Sequence, residues 1–299
     1  MSSSGYVLLP DRGVVSVSGA DARDFLQGLI SNDIGRIGAE RAIYAALLTP
    51  QGKFLFDFIL MQHGDAFLLD AERGRLDQLL KRLLMYRLRA KVVLEDVSER
   101  FLVAAILGSD VAELLELPDS PGACRALEDG SVLIDPRLSA LGARALLPAA
   151  SATETLAALG FAEQSHAAYE RARIGLGVPD GSRDLPVEKA TLLENGFEEL
   201  NGVDFKKGCF VGQELTARMK YRGLVRKRLM PVTFEGAAPE PGTIIRLGER
   251  EAGEMRSGTE GLGLALLRLE PIAKANEEGA GLRAGETLVV PVKPDWANF

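Results

Sequence analysis

The chain has 299 residues, 35 basic and 42 acidic, for a formal charge of −7 and a hydrophobic share of 46%. At roughly 100–200 residues per domain this length predicts about two packed units, and the 26% charged share with near-zero mean hydropathy excludes disordered and fibrous classes. No apolar run approaches the ~18–20 residues that span a bilayer, and the start, MSSSGYVLLPDRG, lacks a basic region followed by a hydrophobic stretch. The expectation is a cytoplasmic protein with no membrane partner.

In chain order, Val14–Val17 has strand composition, and DARDFLQGLI (21–30) sets Phe25, Leu26, Leu29 and Ile30 on one helical face. Two strand-like runs, 43–48 and 54–61, flank Thr49-Pro50-Gln51-Gly52-Lys53, where Pro and Gly between apolar runs predict a hairpin. LDQLLKRLLMYRLRA (76–90) repeats leucine at helical spacing, with Lys81, Arg82, Arg87 and Arg89 around it, and predicts the longest helix. Strands are predicted at 92–97, 101–106 and 132–134, with a loop at 117–122. Ser165 to Gly175 predicts a helix stopped by Gly175, Gly177 and Pro179. From Arg226 onward the runs LMPVTF, TIIRL, GLGLALLRL and TLVVPV, parted by Gly and Pro, predict a terminal β-barrel.

Two cysteines, Cys124 and Cys209, and two histidines, His63 and His166, restrict the chemistry. One chain cannot build a four-cysteine zinc or cluster site, so no resident metal site is expected, and any cluster would have to be shared with a partner. Both thiols are expected free. Neither histidine has Ser, Cys or acidic neighbours that suggest a catalytic set, and no phosphate-binding loop, dinucleotide fingerprint or HExxH helix is present.

KKGCFVGQELTARMKYRGLVRKR (206–228) holds eight basic residues against one acid, Glu214; its net of +7 leaves −14 for the rest of the chain. A field of that sign marks a site for an anionic ligand or acidic partner surface. Cys209 lies within it between Gly208 and Gly212, after two lysines and before a predicted helix, a setting that favours a reactive thiolate. Phe210 and Tyr221 are the only aromatics there, so direct nucleic-acid binding by base stacking is not expected.

Lys207-Gly208-Cys209-Phe210-Val211-Gly212-Gln213-Glu214 resembles the K-G-C-[aromatic]-x-G-Q-E signature of the YgfZ family, folate-binding iron-sulfur maturation proteins related to the aminomethyltransferase GcvT of the glycine cleavage system. The segments 177–181 with 183–186, 200–205, 213–218 and 226–229 are similar too, as are, more weakly, FLQGLISND (25–33) and LLTPQGKFLFD (47–57). The resemblance is strongest to the branch that includes the mitochondrial factor acting late in making 4Fe-4S proteins. It implies an α+β, GcvT-like cloverleaf: two related, interleaved α+β lobes binding folate in residues 1–225, and a β-barrel in 226–299. It further implies tetrahydrofolate as cofactor, a transient iron-sulfur cluster shared with a partner, and cluster assembly proteins and client enzymes, including tRNA-modifying ones, as partners. Cys209 is then the functional thiol, with Lys207, Gln213, Glu214 and Arg218 shaping its loop. Asp77, at a spacing from Leu69-Asp70-Ala71 similar to the transferases' N-A-…-D pattern, is the folate-side acid candidate, and Tyr169 the candidate to stack on the pterin. Where some bacterial relatives place a second aromatic, this chain has Arg12. The alternative function is a folate-dependent aminomethyl transferase; relatives of that kind use no thiol at the Cys209 position, so a maturation factor is favoured over a classical transferase.

Overall fold

The computed structural model describes residues 4–299, with the side chains at 276 and 278 left aside. The chain divides into two units. One takes residues 4–48, 55–169 and 201–211, the other residues 49–54, 170–200 and 212–299.

Two sheets build the first unit. One has the strand order Ile43–Leu48, Phe54–His63, Ala66–Glu72, Arg12–Ser18, Val93–Asp96. The other runs Ala162–Glu163, Gly5–Leu8, Phe101–Leu107, Ala143–Pro148, Gly130–Ile134, Cys124–Leu127, antiparallel except where Gly5 pairs with Ala162. The chain thus opens in the second sheet, crosses to the first at Arg12 and returns at Phe101. Ala104, Ile106, Val132, Ile134, Ala145 and Leu147 form the inner face of the second sheet, packed on Leu115 and Leu156 of flanking segments. Of the face Leu76, Leu79, Leu80, Leu83 and Leu84 that the spacing predicts, the helix Leu76–Arg87 buries Leu76, Leu79 and Leu83, leaves Leu80 half-buried and exposes Leu84. The helix predicted from Asp21 spans Ala22–Gln27 and stops early, because Ile30 leaves helical geometry to bridge Leu47.

In the second unit, residues 227–291 close a six-stranded barrel in the order Lys227–Thr233, Leu262–Arg268, Arg250–Thr259, Ile244–Leu247, Leu282–Ala284, Thr287–Pro291. Its core includes Val232, Ile245, Met255, Leu267 and Val289. The Gly261-Leu262-Gly263 pair begins as turn chemistry: Gly261 has φ +73°. Gly263 lies inside a strand, where a Cβ would come within 2.9 Å of Met255. Upstream, Arg173 is fully buried and donates to Glu170 (2.6 Å), Asp184 (2.8 Å) and Ser257 (3.0 Å). Asp184 also accepts from the backbone N–H groups of Asp180 and Ser257, both at 2.9 Å. This network fixes the 177–186 segment. Among the described residues no helix is long and apolar enough to cross a membrane.

Candidate functional site: an anchored thiol loop and a buried ionic network

The helix Ala22–Gln27 ends with backbone carbonyls that no helical N–H can reach, a deficit every helix C-terminus carries. Lys207 fills it. Its ammonium donates to the carbonyls of Gln27 (2.6 Å) and Ile30 (2.5 Å), and the Gln27 side chain donates back to the Lys207 carbonyl at 3.2 Å. Upstream, the Ser31 hydroxyl donates to Gly202 O at 2.6 Å and the Asp204 amide to Ser31 O at 3.0 Å. Downstream, the Val211 amide donates to Gly28 O at 3.1 Å. The loop is therefore held on both sides of Cys209, which is exposed. Gly208 turns the chain just before it with φ +93°, a conformation that favours glycine. The Phe210 ring covers the Lys207 ammonium, with Nζ 5.0 Å from its centroid. Burial pushes Lys207 down to about 8, against the opposing pull of Asp33 and Asp204.

The sequence sets Lys207 beside the thiol as a cation and the resemblance gives it a part in shaping the loop; its hydrogen bonds make it a clasp. Cys124 is the opposite kind of sulfur. It is buried, donates toward Ala39 O at 3.5 Å, and burial, with help from Glu40, pushes its thiol up to about 11.

Gln213, Glu214 and Arg218 lie on the second unit's helix Gln213–Tyr221, where Glu214 and Arg218 form an exposed i,i+4 ion pair. In the same unit the 49–54 turn reaches the start of that helix: a Cβ on Gly52 would lie 2.7 Å from Gly212 O. Two of the resemblance motifs thus meet there. The basic run carries less free charge than its composition suggests. Lys220 is paired with Glu198, and Arg228 with Glu199 at 3.0 Å, because the fold brings two acids from outside the run against it.

The second cluster lies within the first unit. Asp70, fully buried in the strand Ala66–Glu72, accepts from Arg12 Nε at 2.6 Å, and the other Arg12 arm donates to the Asp70 carbonyl at 2.7 Å. Arg144, also buried, approaches Asp70 at 3.7 Å and Asp135 at 3.5 Å. Arg137 holds Asp135 through two bonds of 2.9 and 2.7 Å, and burial's upward push on that carboxyl is outweighed by Arg137 and Arg144, so its pKa is lowered. The Tyr169 hydroxyl accepts from Arg137 (3.3 Å) and Arg144 (3.1 Å). Tyr44 donates to Asp57 at 2.9 Å, and burial and that carboxylate raise its pKa. Three buried polar atoms at the centre, Asp70 Oδ2 and Arg144 Nε and Nη1, have no hydrogen-bond partner. Asp77 stands apart, exposed in the first turn of the helix Leu76–Arg87. Asp70 and Arg12, both named beside the resemblance motifs, come together here with Arg144, and Asp77 does not join them. The available signal for Asp70 was a carboxylate inside the apolar run AFLLDA.

Residues 11–120 match the GCVT N-terminal domain, and residues 226–299 the CAF17 C-terminal beta-barrel domain. The solved aminomethyltransferase T of the glycine cleavage system from Bartonella henselae superposes with a TM-score of 0.74 at 16% identity, covering 98% of this chain and 86% of that one, a likeness of fold. The chain is 36% identical to the human mitochondrial iron-sulfur cluster assembly factor IBA57 and 35% identical to the mouse one, in each case over 96% of this chain and 84% of the relative. A homologue from Neurospora crassa is 34% identical over 86% of this chain and 61% of its own length. These relatives overturn the cytoplasmic expectation, since each is named as mitochondrial. That expectation rested on a missing secretory pattern, which says nothing about the amphipathic, Arg-rich segments that address proteins to mitochondria. With identity above 30% across nearly its whole length, the chain belongs to the IBA57 family, the YgfZ-type, GcvT-like group that its Lys207–Glu214 signature resembles.

Proposed function

We propose that this protein is an accessory factor in iron-sulfur cluster assembly that binds a reduced folate and engages a cluster, or a client receiving one, through Cys209. The observation that carries this reading is the exposed thiol on a loop clasped from both sides, in a family whose relatives are named as cluster assembly factors. Among the described residues no group of three or more His, Cys, Asp or Glu side chains could hold a metal, and Cys209 offers a single ligand. A cluster is therefore cargo, with its other ligands supplied by an assembly protein or client. On contact the Cys209 thiol would replace one donor-protein thiolate on a cluster iron, its proton passing to the thiolate that leaves so that the exchange is redox-neutral, while Lys207 keeps the loop in place. Client enzymes, tRNA-modifying ones among them, belong to this reading.

The buried ionic network supports the folate part. Asp70 Oδ2 and Arg144 Nη1 face each other as an ion pair at 3.7 Å, beyond hydrogen-bond distance, and Arg144 Nε has no acceptor, so hydrogen-bonding capacity is left over at both residues. A pterin carries ring N–H groups and a carbonyl of the complementary kind. When bound, a reduced folate supplies a ring that can take up a one-carbon unit or give up electrons. Asp70 and Arg144 would orient that ring, and Tyr169, held by Arg137 and Arg144, would form part of its enclosure. The aminomethyl transferase alternative gains nothing from the solved relative, whose 16% identity speaks to fold alone.

The test is anaerobic protein titrated with reduced folate and, separately, with a cluster donor. Folate should raise the melting temperature in proportion to the logarithm of its excess over Kd. Asp70→Asn should reduce that shift, and cluster absorbance should require Cys209. No folate shift in the intact protein would remove the cofactor; absorbance unchanged in Cys209→Ser would remove the thiol.

A further inference from the structure

The helix Leu76–Arg87 and its C-cap carry further apolar side chains that none of the described residues of the unit covers. Leu76, Leu79 and Leu83 point inward. Beside and beyond that face Leu84 is 44% exposed, Met85 66% and the C-cap Leu88 87%. Leu88 ends the helix with φ +45°, an uncommon conformation for a leucine, and stands clear of the surface. Val93, 51% exposed on the edge strand, extends the patch.

At 100° per residue, Met85 lies on the outward face and Leu84 at its edge, with Arg82 and Arg87 about 110° to either side of their midpoint, and Leu88 follows as the exposed C-cap. Lys81, Arg89 and Lys91 bring the cations to five, none of whose side chains forms an ion pair among the described residues, although the Lys91 amide donates to the Asp21 carboxylate at 2.7 Å. The sole acid between 76 and 93 is Asp77, about 16 Å of helix away from Leu88.

We propose that this helix end is a peripheral contact for an anionic phospholipid surface, with the apolar side chains entering the headgroup layer and the cations meeting lipid phosphates. A convex apolar tip among unpaired cations suits a fluid, negatively charged layer. Pairing with a second copy would set five cations against five, which is repulsive. A stable protein interface engages about 20–30 residues a side, and this patch has four apolar ones. Absence of a spanning helix leaves such surface binding open. The inference is independent of the role of Cys209.

The test is co-sedimentation of the full chain with vesicles of phosphatidylcholine alone or with about one-third phosphatidylglycerol, at low and high salt. Binding is expected only with the anionic vesicles, and high salt should remove it. Arg87→Gln with Arg89→Gln should weaken partitioning on the order of 30-fold, at about fivefold per cation. Leu88→Ser with Met85→Ser should weaken it too, with the melting temperature unchanged because these side chains are exposed. Equal binding to both vesicle types, binding unchanged in both double variants, or patch-dependent dimers without vesicle binding would each overturn the proposal.

Discussion

The two sulfurs should differ in reactivity by a margin that the structure sets. Cys124 is buried with its thiol raised to about 11, so at pH 8 only about one part in a thousand is thiolate, the species that reacts. Cys209 is exposed on its loop. With a small neutral alkylating reagent at pH 8, the native protein should show one fast and one slow thiol, the slow one lagging by at least about 100-fold. Cys209→Ser should abolish the fast phase, and Cys124→Ser should leave it intact. The slow phase should rise about tenfold per pH unit through pH 10, because Cys124 titrates near 11, and unfolding in urea should merge it with the fast one. Comparable rates for the two thiols in the folded protein, or a fast phase lost in Cys124→Ser, would refute the assignment.

Lys207→Met should change how stability depends on pH. Because burial depresses Lys207 to about 8, the unfolded chain holds its proton more tightly, so native stability relative to the Met variant should rise as pH climbs from about 8 toward 10.5 and stay flat below; urea midpoints across that range test the sign. Asp70→Ala leaves Arg12 and Arg144 buried without their shared carboxylate and should cost about 3–5 kcal/mol, whereas a loss under about 1 kcal/mol would mean the network relaxes freely. In the barrel, Leu267→Ala empties a fully buried site and should cost about 2–5 kcal/mol by calorimetry.

The barrel strands Lys227–Thr233, Leu262–Arg268 and Thr287–Pro291 were legible because Gly and Pro clusters bound their apolar runs. The strand Arg250–Thr259 was not: REAGEMRSGT has weak strand propensity, and its ladder comes from antiparallel neighbours on both sides. Gly5–Leu8, Ala66–Glu72 and Ala143–Pro148 likewise take their strand character from sheet partners far away in sequence. At the site, Cys209 and Lys207 were visible through local chemistry and a fixed motif. The role of Asp70 was not, because its partners Arg12 and Arg144 lie 58 and 74 positions away and only folding brings them together. The resemblance gave Lys207 a part in shaping the loop, but the means was hidden for the same reason: its acceptors are at Gln27 and Ile30.

The most direct test of the thiol's role in cluster assembly is complementation. Cells lacking the endogenous factor would express the native chain, Cys209→Ser or Cys124→Ser at matched levels, and the activity of a 4Fe-4S enzyme would be measured in extracts. Cys209→Ser removes one exposed sulfur and little volume, so it should accumulate normally and fail to restore activity, while Cys124→Ser should restore it. Full activity with Cys209→Ser at native abundance would contradict the account.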